Sequence, residues 1–472
     1  MENTLCDELL QEIFQKLPSS SSSSVSLVCK RWLHLYRSSR TSLSLRVIPH
    51  FSVIPSLTSL LTHHSSLSSL SLFLSSDPTT TPFTLSCHLL SVVSSCCSRL
   101  LALRFLAGPV SLSSLTSLSK ACTHLTSLNI SLSRPIFLMW VCSFPCLKDL
   151  SIILCSGDGS LGDEDDVNNQ YGVWESEDFD AELGLESLCL VGIRGDDWGV
   201  GWLWRSCRKL KRLQLQSCQG IGGSYSSFVQ CLQGLQEVEL ITCRSVVDGV
   251  LLKLSENCHS LNSLLVHDGG SREGLLRFFS QCRSNIHKLD LRLPLDLNNN
   301  HLSAVAVNFR GLSCIRLQSC CLVTGEGLKA LGVAMSNGLE ELALINCDVV
   351  EREPGLLATL GQHLRQLRKL DLSHNEMLLD KEFISMLVSC IHLIDLRLRG
   401  CKGLTGMAMV SMLRSCKHLE NVDIMQCLGI ESEAIELFIK NSPRLRRMEV
   451  EGSKLSDAAK MCASNRFIEI VV

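Results

Sequence analysis

The sequence has little net charge and few aromatic residues. Its 472 residues carry a formal net charge of −3, and only 5% of them are Phe, Trp or Tyr. A nearly neutral chain offers no overall charge that favours nucleic acid or an anionic membrane. It also lacks a run of about 18 apolar residues, the length that a membrane-spanning helix needs. We therefore expect neither nucleic acid nor a membrane among its partners.

Common catalytic and metal-binding motifs are absent as well. The sequence contains no G-x-x-x-x-G-K, no H-E-x-x-H and no G-x-S-x-G. Its 25 cysteines include no C-x-x-C pair, the spacing typical of zinc sites. We therefore expect no enzyme, no cofactor and no metal site.

The first residues, MENTLCDELLQEIF, lack the features of a secretory signal. They place acids where a signal peptide needs a basic start and an apolar run. We therefore expect an intracellular chain, in the cytoplasm, the nucleus or both, with its cysteines reduced.

What the chain has in abundance is leucine at regular spacing. The segments 207–218, 390–401 and 416–427 follow the pattern C-x-x-L-x-x-L-x-L-x-x-C. The first apolar residue of the pattern recurs about every 26 residues, apart from a step of 38 residues between Leu147 and Leu185. This regularity predicts a repeat architecture.

Each repeat predicts one strand followed by one helix. In L-x-x-L-x-L the last two leucines lie on one face of a strand, because strand side chains alternate. In segment 404–416, apolar residues recur at three-residue spacing, which suits a helix. The pattern resembles the cysteine-containing subclass of leucine-rich repeats over most of residues 41–472. It predicts an α/β leucine-rich-repeat solenoid shaped as a horseshoe, with a concave parallel sheet and convex helices.

Fifteen cysteines occupy fixed positions in this repeat. Those near the strand exit are Cys155, Cys218, Cys243, Cys320, Cys347, Cys401 and Cys427, with Asn375 in the same position. Those at the start of the pattern, or one residue before it, are Cys97, Cys122, Cys207, Cys231, Cys258, Cys282, Cys390 and Cys416. Since a free cysteine behaves as a small buried apolar residue, we expect these to be core residues.

The first forty residues do not follow the repeat. TLCDELLQEIFQKLP has apolar residues at helical spacing over 5–17, with Thr4 as the expected N-cap and Pro18 just past the end. A serine run, 19–24, joins it to a second amphipathic segment, VSLVCKRWLHLY. In that segment Val28 and Trp32 lie four residues apart, so we expect both on one helical face.

This order of residues resembles the F-box motif. The motif reads Asp/Glu-x-Leu-Leu-x-x-Ile-Phe-x-x-Leu-Pro and ends in Val-Cys-Lys-x-Trp, and both parts occur in residues 1–40. Two departures are visible. Cys6 stands where the motif usually has proline, and the serine run replaces the usual link between the helices. The alternative is that residues 1–40 only cap the open end of the solenoid.

The resemblance implies a function. Plant-type F-box proteins with leucine-rich repeats are non-catalytic substrate receptors of SCF ubiquitin ligases. The F-box binds a Skp-type adaptor, which a cullin holds, and the repeats bind a protein substrate for ubiquitination and degradation. By resemblance, the adaptor-facing residues are Leu5, Leu9, Leu10, Ile13, Pro18, Val28 and Trp32, with Lys30 and Arg31 at the rim or in solvent. The alternatives are a plain leucine-rich-repeat scaffold and a receptor that needs a small-molecule hormone.

The substrate surface is expected on the concave sheet. Candidate residues there flank the strand leucines: Arg292, Arg316, Gln318, Arg397 and Arg399. The arginines would form basic spots for an acidic or phosphorylated segment of the substrate. The alternative is ordinary solvated charge.

An acidic insertion at 156–182 explains the long step in the repeat. It contains ten acids, and no Lys or Arg occurs between residues 149 and 193. Its composition favours a disordered surface loop, and the functional alternative is a lid over the concave face.

Overall fold

The computed structural model describes residues 5–17, 22–74, 83–155, 181–222 and 226–472. The chain divides into two compact units, Met1–Cys231 and Leu232–Val472. The acidic insertion, apart from residues 181 and 182, lies outside the described residues, as do Thr4 and Pro18. Among the helices of the described ranges, none combines the length and the apolar character needed to cross a bilayer.

The first unit begins with a small helical module. Its helices are α1 (Asp7–Lys16), α2 (Ser22–Ser26) and α3 (Lys30–Ser39). The core of the module consists of Leu10, Phe14, Val25, Leu35 and Tyr36, with Leu17 and Trp32 packed against it. The Phe14 ring makes edge-to-face contacts with Trp32 and Tyr36, at centroid distances of 5.3 and 6.0 Å. These aromatic contacts hold α3 against α1.

Parallel strands and helices follow in the first unit. The strands are β1 (Ser42–Val47), β2 (Ser69–Leu74), β3 (Ala102–Pro109), β4 (Ser127–Leu132), β5 (Asp149–Leu154), β6 (Ser187–Val191) and β7 (Arg212–Gln216). The helices are α4 (Val53–Thr62), α5 (Phe83–Cys96), α6 (Leu112–Ala121) and α7 (Val200–Ser206), with 3-10 turns at Met139–Ser143 and Ser226–Cys231. Each strand from β1 to β7 pairs in parallel with the next.

The second unit repeats the same alternation more regularly. Its strands are β8 (Glu237–Ile241), β9 (Ser263–His267), β10 (Lys288–Arg292), β11 (Cys314–Gln318), β12 (Glu341–Ile345), β13 (Lys369–Asp371), β14 (Asp395–Arg397), β15 (Asn421–Asp423), β16 (Arg447–Glu449) and β17 (Glu469–Val471). Its helices are α8 (Arg244–Asn257), α9 (Arg272–Gln281), α10 (Asn299–Asn308), α11 (Gly325–Ala334), α12 (Asp348–Arg352), α13 (Leu356–His363), α14 (Asp380–Leu387), α15 (Gly406–Ser415), α16 (Ser432–Asn441) and α17 (Asp457–Asn465). A 3-10 turn lies at Gly452–Lys454.

The repeated leucines form the core because neighbouring strands pair in register. Leu370 of β13 lies opposite Leu396 of β14, which lies opposite Val422 of β15. All three side chains are buried, so the same position of successive coils fills one continuous core. Helices followed by coils of parallel strand and helix confirm the predicted fold class, a leucine-rich-repeat solenoid behind a small all-α domain.

The repeated cysteines are core residues, as predicted. None of the 25 cysteines, all of which lie in the described ranges, forms a disulfide. Of the fifteen in repeat positions fourteen are buried, and Cys155 is half-buried. At the strand exit the thiol donates to a carbonyl of the preceding coil: Cys401 Sγ lies 3.1 Å from the Leu372 oxygen, and Cys427 Sγ lies 2.9 Å from the Leu398 oxygen. The cysteine therefore also links neighbouring coils.

The second amphipathic segment is not one helix, contrary to prediction. It divides into α2 and α3 around a turn at residues 27 and 28. Cys29 caps α3, because its Sγ accepts a hydrogen bond from the Trp32 N–H at 3.4 Å. Val28 and Trp32 therefore do not share a helical face. The serine run is also more than a link, since residues 22–24 belong to α2.

Candidate docking surfaces

Helix α1 is apolar on two sides. Leu10 and Phe14 face the core of the module and are at most 2% exposed. Leu9 and Ile13, four residues apart, lie on another stripe of the helix, and Leu5 lies just before its N-cap, Cys6. They are between 41% and 49% exposed. A helix at the surface of a domain needs only one apolar face to pack against the core. The outer apolar stripe of α1 is therefore available to a partner.

A second exposed apolar pair lies in the turn before α3. Leu27 is 84% exposed and Val28 is 52% exposed. The Arg31 guanidinium ties this region to the start of α1. Its Nε and Nη2 donate to Asp7 Oδ1 at 3.0 and 2.6 Å, and its Nη2 donates to the Leu5 carbonyl at 3.1 Å. Arg31 is exposed, as expected of a rim or solvent group, and it also ties two helices together.

We call Leu5, Leu9, Ile13, Leu27 and Val28 the N-terminal apolar surface. Four of them belong to the predicted adaptor-facing set, and Leu27 was missed because the motif comparison singled out Val28. The other predicted residues lie elsewhere. Leu10 is in the core, Trp32 is half-buried against Phe14, and Pro18 is outside the described residues.

Cys6 supports the start of α1 without capping it. It occupies the N-cap position, and its side chain makes no capping hydrogen bond there. The pKa of the Glu8 carboxyl is lowered, first by the hydrogen bond from its own backbone N–H and then by the one from Cys6. A carboxylate in the first turn interacts favourably with the helix dipole. Cysteine therefore supplies a donor at this position that proline does not have.

The second candidate surface is the strand face of the second unit, formed by side chains that alternate with the buried leucines. Arg292 forms a bidentate ion pair with Asp290, at 3.0 and 2.7 Å. Arg316 reaches Asp290 at 3.8 Å on one side and Asp371 at 3.7 Å on the other. The residue between Arg316 and Asp371 in register is Ala343, whose small side chain leaves room for this reach.

Arginines further along the strand face are paired in the same way. Arg397 Nε lies 3.3 Å from Asp395, while Arg399 contacts both Asp423 and Glu449 at 2.9 Å. Burial raises the pKa of the Asp423 carboxyl, although Arg399 acts in the opposite direction. These acids and bases form a charge-balanced network.

The strand face therefore lacks the basic spots that the sequence predicted at these arginines. Each of the four guanidiniums pairs with a carboxylate, and Gln318 lies beside Arg292 in register. The pairs Asp290-x-Arg292 and Asp395-x-Arg397 were visible in the sequence, because residues two apart share one face of a strand. Within the described ranges, no group of three or more His, Cys, Asp or Glu side chains is placed to hold a metal ion.

Comparisons with known proteins agree with the helical module. Residues 3–40 match the family model of the F-box domain, which confirms the predicted F-box at the N-terminus. The match covers the module that carries the N-terminal apolar surface.

Solved structures with a similar fold are distant. A chain of the yeast Rad7 and Elc1 complex has 14% identity and a TM-score of 0.38, covering 58% of this chain and 87% of that one. The internalin inlF of Listeria monocytogenes has 15% identity and a TM-score of 0.32, covering 88% and 93%. The leucine-rich repeat-containing protein LegL7 of Legionella pneumophila has 14% identity and a TM-score of 0.38, covering 52% and 84%. Similarity this distant carries no information on function.

Proposed function

We propose that this chain is a substrate receptor of an SCF-type ubiquitin ligase. Its F-box would bind a Skp-type adaptor and, through it, a cullin, while the repeats bind a protein substrate. The F-box match over residues 3–40 supports this proposal. The cysteine-containing repeats suggest a plant-type receptor, and the proposal places it in the cytoplasm, the nucleus or both.

The N-terminal apolar surface is the observation that carries the proposal. The module has a core of its own, and its five outer apolar side chains lie outside that core and remain 41% to 84% exposed. Covering a half-exposed leucine or isoleucine contributes about 1 kcal/mol. Five such side chains, clustered on two tied helices, suit the buried centre of a protein interface.

The proposed mechanism is tethering rather than catalysis. A receptor that holds a substrate beside a charged conjugating enzyme converts a bimolecular encounter into an intramolecular one. The chain would then need two docking surfaces and no reacting group of its own. The F-box supplies one surface, and the repeats supply the other.

Co-purification with a Skp-type adaptor tests the proposal. The variant Leu9→Ala/Ile13→Ala/Val28→Ala removes apolar area from the N-terminal apolar surface and leaves Trp32 in place against the core. We expect the wild-type chain to elute with the adaptor in size-exclusion chromatography and the variant to elute alone.

A matched control comes from exposed apolar residues on solenoid helices. Val307→Ala/Val333→Ala/Leu437→Ala removes a similar area elsewhere, since all three are 46% to 63% exposed. This control should still elute with the adaptor. A wild-type chain that never binds the adaptor, or a control as defective as the test variant, would refute the proposal.

A further inference from the structure

The joint between the F-box module and the first coil of the repeats has no role in the function proposed so far. Helix α3 ends the module at Ser39 and strand β1 begins at Ser42, so residues 40 and 41 connect them. Each residue has two soft backbone torsions, so this connection alone does not fix how the module sits on the coils. A further contact is needed to hold one orientation.

A side chain of the coils supplies such a contact at the end of α3. The Nδ1 of His64 lies 3.1 Å from the carbonyl oxygen of Arg37. The last four carbonyls of a helix have no partner within it, and that of Arg37 is one of them. Because a carbonyl only accepts, Nδ1 carries a proton and donates. His64 thus caps the C-terminus of α3 from a position 27 residues away in sequence.

The backbone around His64 holds the imidazole in place for this bond. Helix α4 ends at Thr62, and the His64 N–H donates to the Leu61 carbonyl at 3.0 Å. The His64 carbonyl in turn accepts from the Leu67 N–H at 3.3 Å. Leu61 and Leu67 are at most 2% exposed, so the core of the repeats anchors both ends of this turn. The turn therefore presents the donor from a fixed position.

The charged groups around His64 are all cationic or imidazole groups. His64 is half-buried, and the groups that act on it are Arg37 and Arg40 of α3 and His63 at the end of α4. The surrounding elements α3, β1, α4 and β2 lie within residues 13–76, which contain no Asp or Glu. These elements therefore offer no carboxylate to balance a charge on the imidazole.

The surroundings of His64 favour its neutral form. Burial lowers the pKa of the imidazole; the hydrogen bond to the Arg37 carbonyl acts in the opposite direction, and the neighbouring cations lower the pKa further. A histidine whose pKa is lowered by folding stabilises the folded state fully above its ordinary pKa of about 6.5. That stability is lost as the pH falls from there toward the lower pKa of the folded state. The contact should therefore weaken in mild acid.

We propose that His64 is a positioning residue that fixes the F-box module against the repeats and releases it when the imidazole takes up a second proton. The neutral ring donates to the Arg37 carbonyl. A protonated ring would place a half-buried positive charge beside Arg37 and Arg40, and opening the joint hydrates that charge. Insofar as it rests on the function proposed above, the joint holds adaptor and substrate at one distance at neutral pH, but the release itself needs neither partner.

Hydrogen exchange of the full chain at about pH 7.5 and about pH 5.5 tests the proposal, with rates corrected for the intrinsic effect of pH. In the wild type, peptides covering residues 36–42 should lose protection by about twofold or more at the lower pH. His64→Asn keeps an N–H donor that does not titrate, so it should stay protected at both pH values. His64→Ala removes the donor and should be poorly protected at both.

The matched control is His63→Asn, because His63 is exposed and its ring contacts the Ser59 carbonyl within α4. It should respond to pH like the wild type. A wild type without a pH response, an equal response in His64→Asn, or wild-type protection of His64→Ala at pH 7.5 would overturn the proposal.

Adaptor binding is an independent measurement. The substitutions at His63 and His64 lie outside the N-terminal apolar surface, so all variants should still elute with a Skp-type adaptor at neutral pH. A chain that never binds the adaptor would refute the proposed function, whereas the exchange experiment would still decide the role of His64.

Discussion

At the scale of single residues, the turn that follows a repeat strand, the strand exit, shows how a left-handed backbone torsion directs the next side chain into the core. Asn346 and His374 adopt left-handed backbone, with φ of 49° and 62°, just before Cys347 and Asn375. The side chain that follows points into the core and bonds a carbonyl of the preceding coil. The sequence predicted a small buried residue here. It could not show the hydrogen bond, because the two partners are about 30 residues apart in sequence.

Asn375 should contribute more stability than a cysteine in the same position. Its Nδ2 donates to the carbonyls of Leu344 and Leu372 at 2.8 and 2.7 Å, and its Oδ1 accepts from the Cys347 N–H at 2.9 Å. Asn375→Ala removes the side-chain partner of the Leu344 carbonyl and of the Cys347 N–H, while the Leu372 carbonyl keeps its bond from the Cys401 thiol. The loss should lower the free energy of unfolding by about 3 kcal/mol. Cys401→Ala removes one weak bond and should cost about 1 kcal/mol.

Urea denaturation of the full chain measures both effects. Cys321→Ala is the control, because Cys321 is exposed at the surface. It should leave the midpoint unchanged. An Asn375→Ala midpoint that matches the Cys401→Ala midpoint would contradict this account of the strand exit.

Buried thiols should make the fold sensitive to alkaline pH. Burial raises the pKa of Cys207, Cys390 and Cys416 to about 12. In the unfolded chain these thiols ionise near their ordinary pKa. The stability they contribute is therefore fully present below about pH 9, and is lost as the pH rises toward 12. The loss is about 1.4 kcal/mol per thiol and pH unit within that window.

The measurement is urea denaturation in reducing buffer at about pH 8 and about pH 10. The free energy of unfolding should fall between these values, and it should fall less in Cys207→Ala/Cys390→Ala/Cys416→Ala than in the wild type. The same decrease in both proteins would show that buried thiols do not cause it.

At the scale of elements, helix α1 was predicted more accurately than the segment that follows it. Residues 5–17 were predicted to be helical, and α1 covers Asp7–Lys16. Both apolar faces of this helix are visible as periodic leucines and isoleucines. The break between α2 and α3 was missed, because the apolar spacing continues through the turn while Cys29 starts a new helix.

Adjacent residues of α1 should respond to substitution in opposite ways. Phe14→Ala removes a buried ring between Trp32 and Tyr36 and should destabilise the helical module by about 3 to 5 kcal/mol. Ile13→Ala should barely change stability, because the side chain is 45% exposed, but it should weaken adaptor binding.

Limited proteolysis of the full chain reports the stability of the module, and binding to immobilised adaptor reports its function. Faster cleavage within residues 5–39 is expected for Phe14→Ala only. Equal cleavage of the two variants would mean that α1 does not pack as described.

At the scale of the whole molecule, the repeat could be predicted because its signal is periodic and local. The pairing of charges could be predicted only in part. Asp290 and Arg292 are close in sequence, whereas Arg316 reaches Asp371 because the small Ala343 lies between them. The groove where strands β12–β16 begin was not predicted, since its lining residues belong to five different repeats.

The most direct test of the proposed function is hydrogen exchange of the full chain with and without a Skp-type adaptor. If the N-terminal apolar surface is the docking site, peptides from residues 5–17 and 22–39 should exchange more slowly in the complex. Peptides from residues 232–472 should be unchanged. A complex that leaves residues 5–39 unprotected, or that protects only the second unit, would contradict the account.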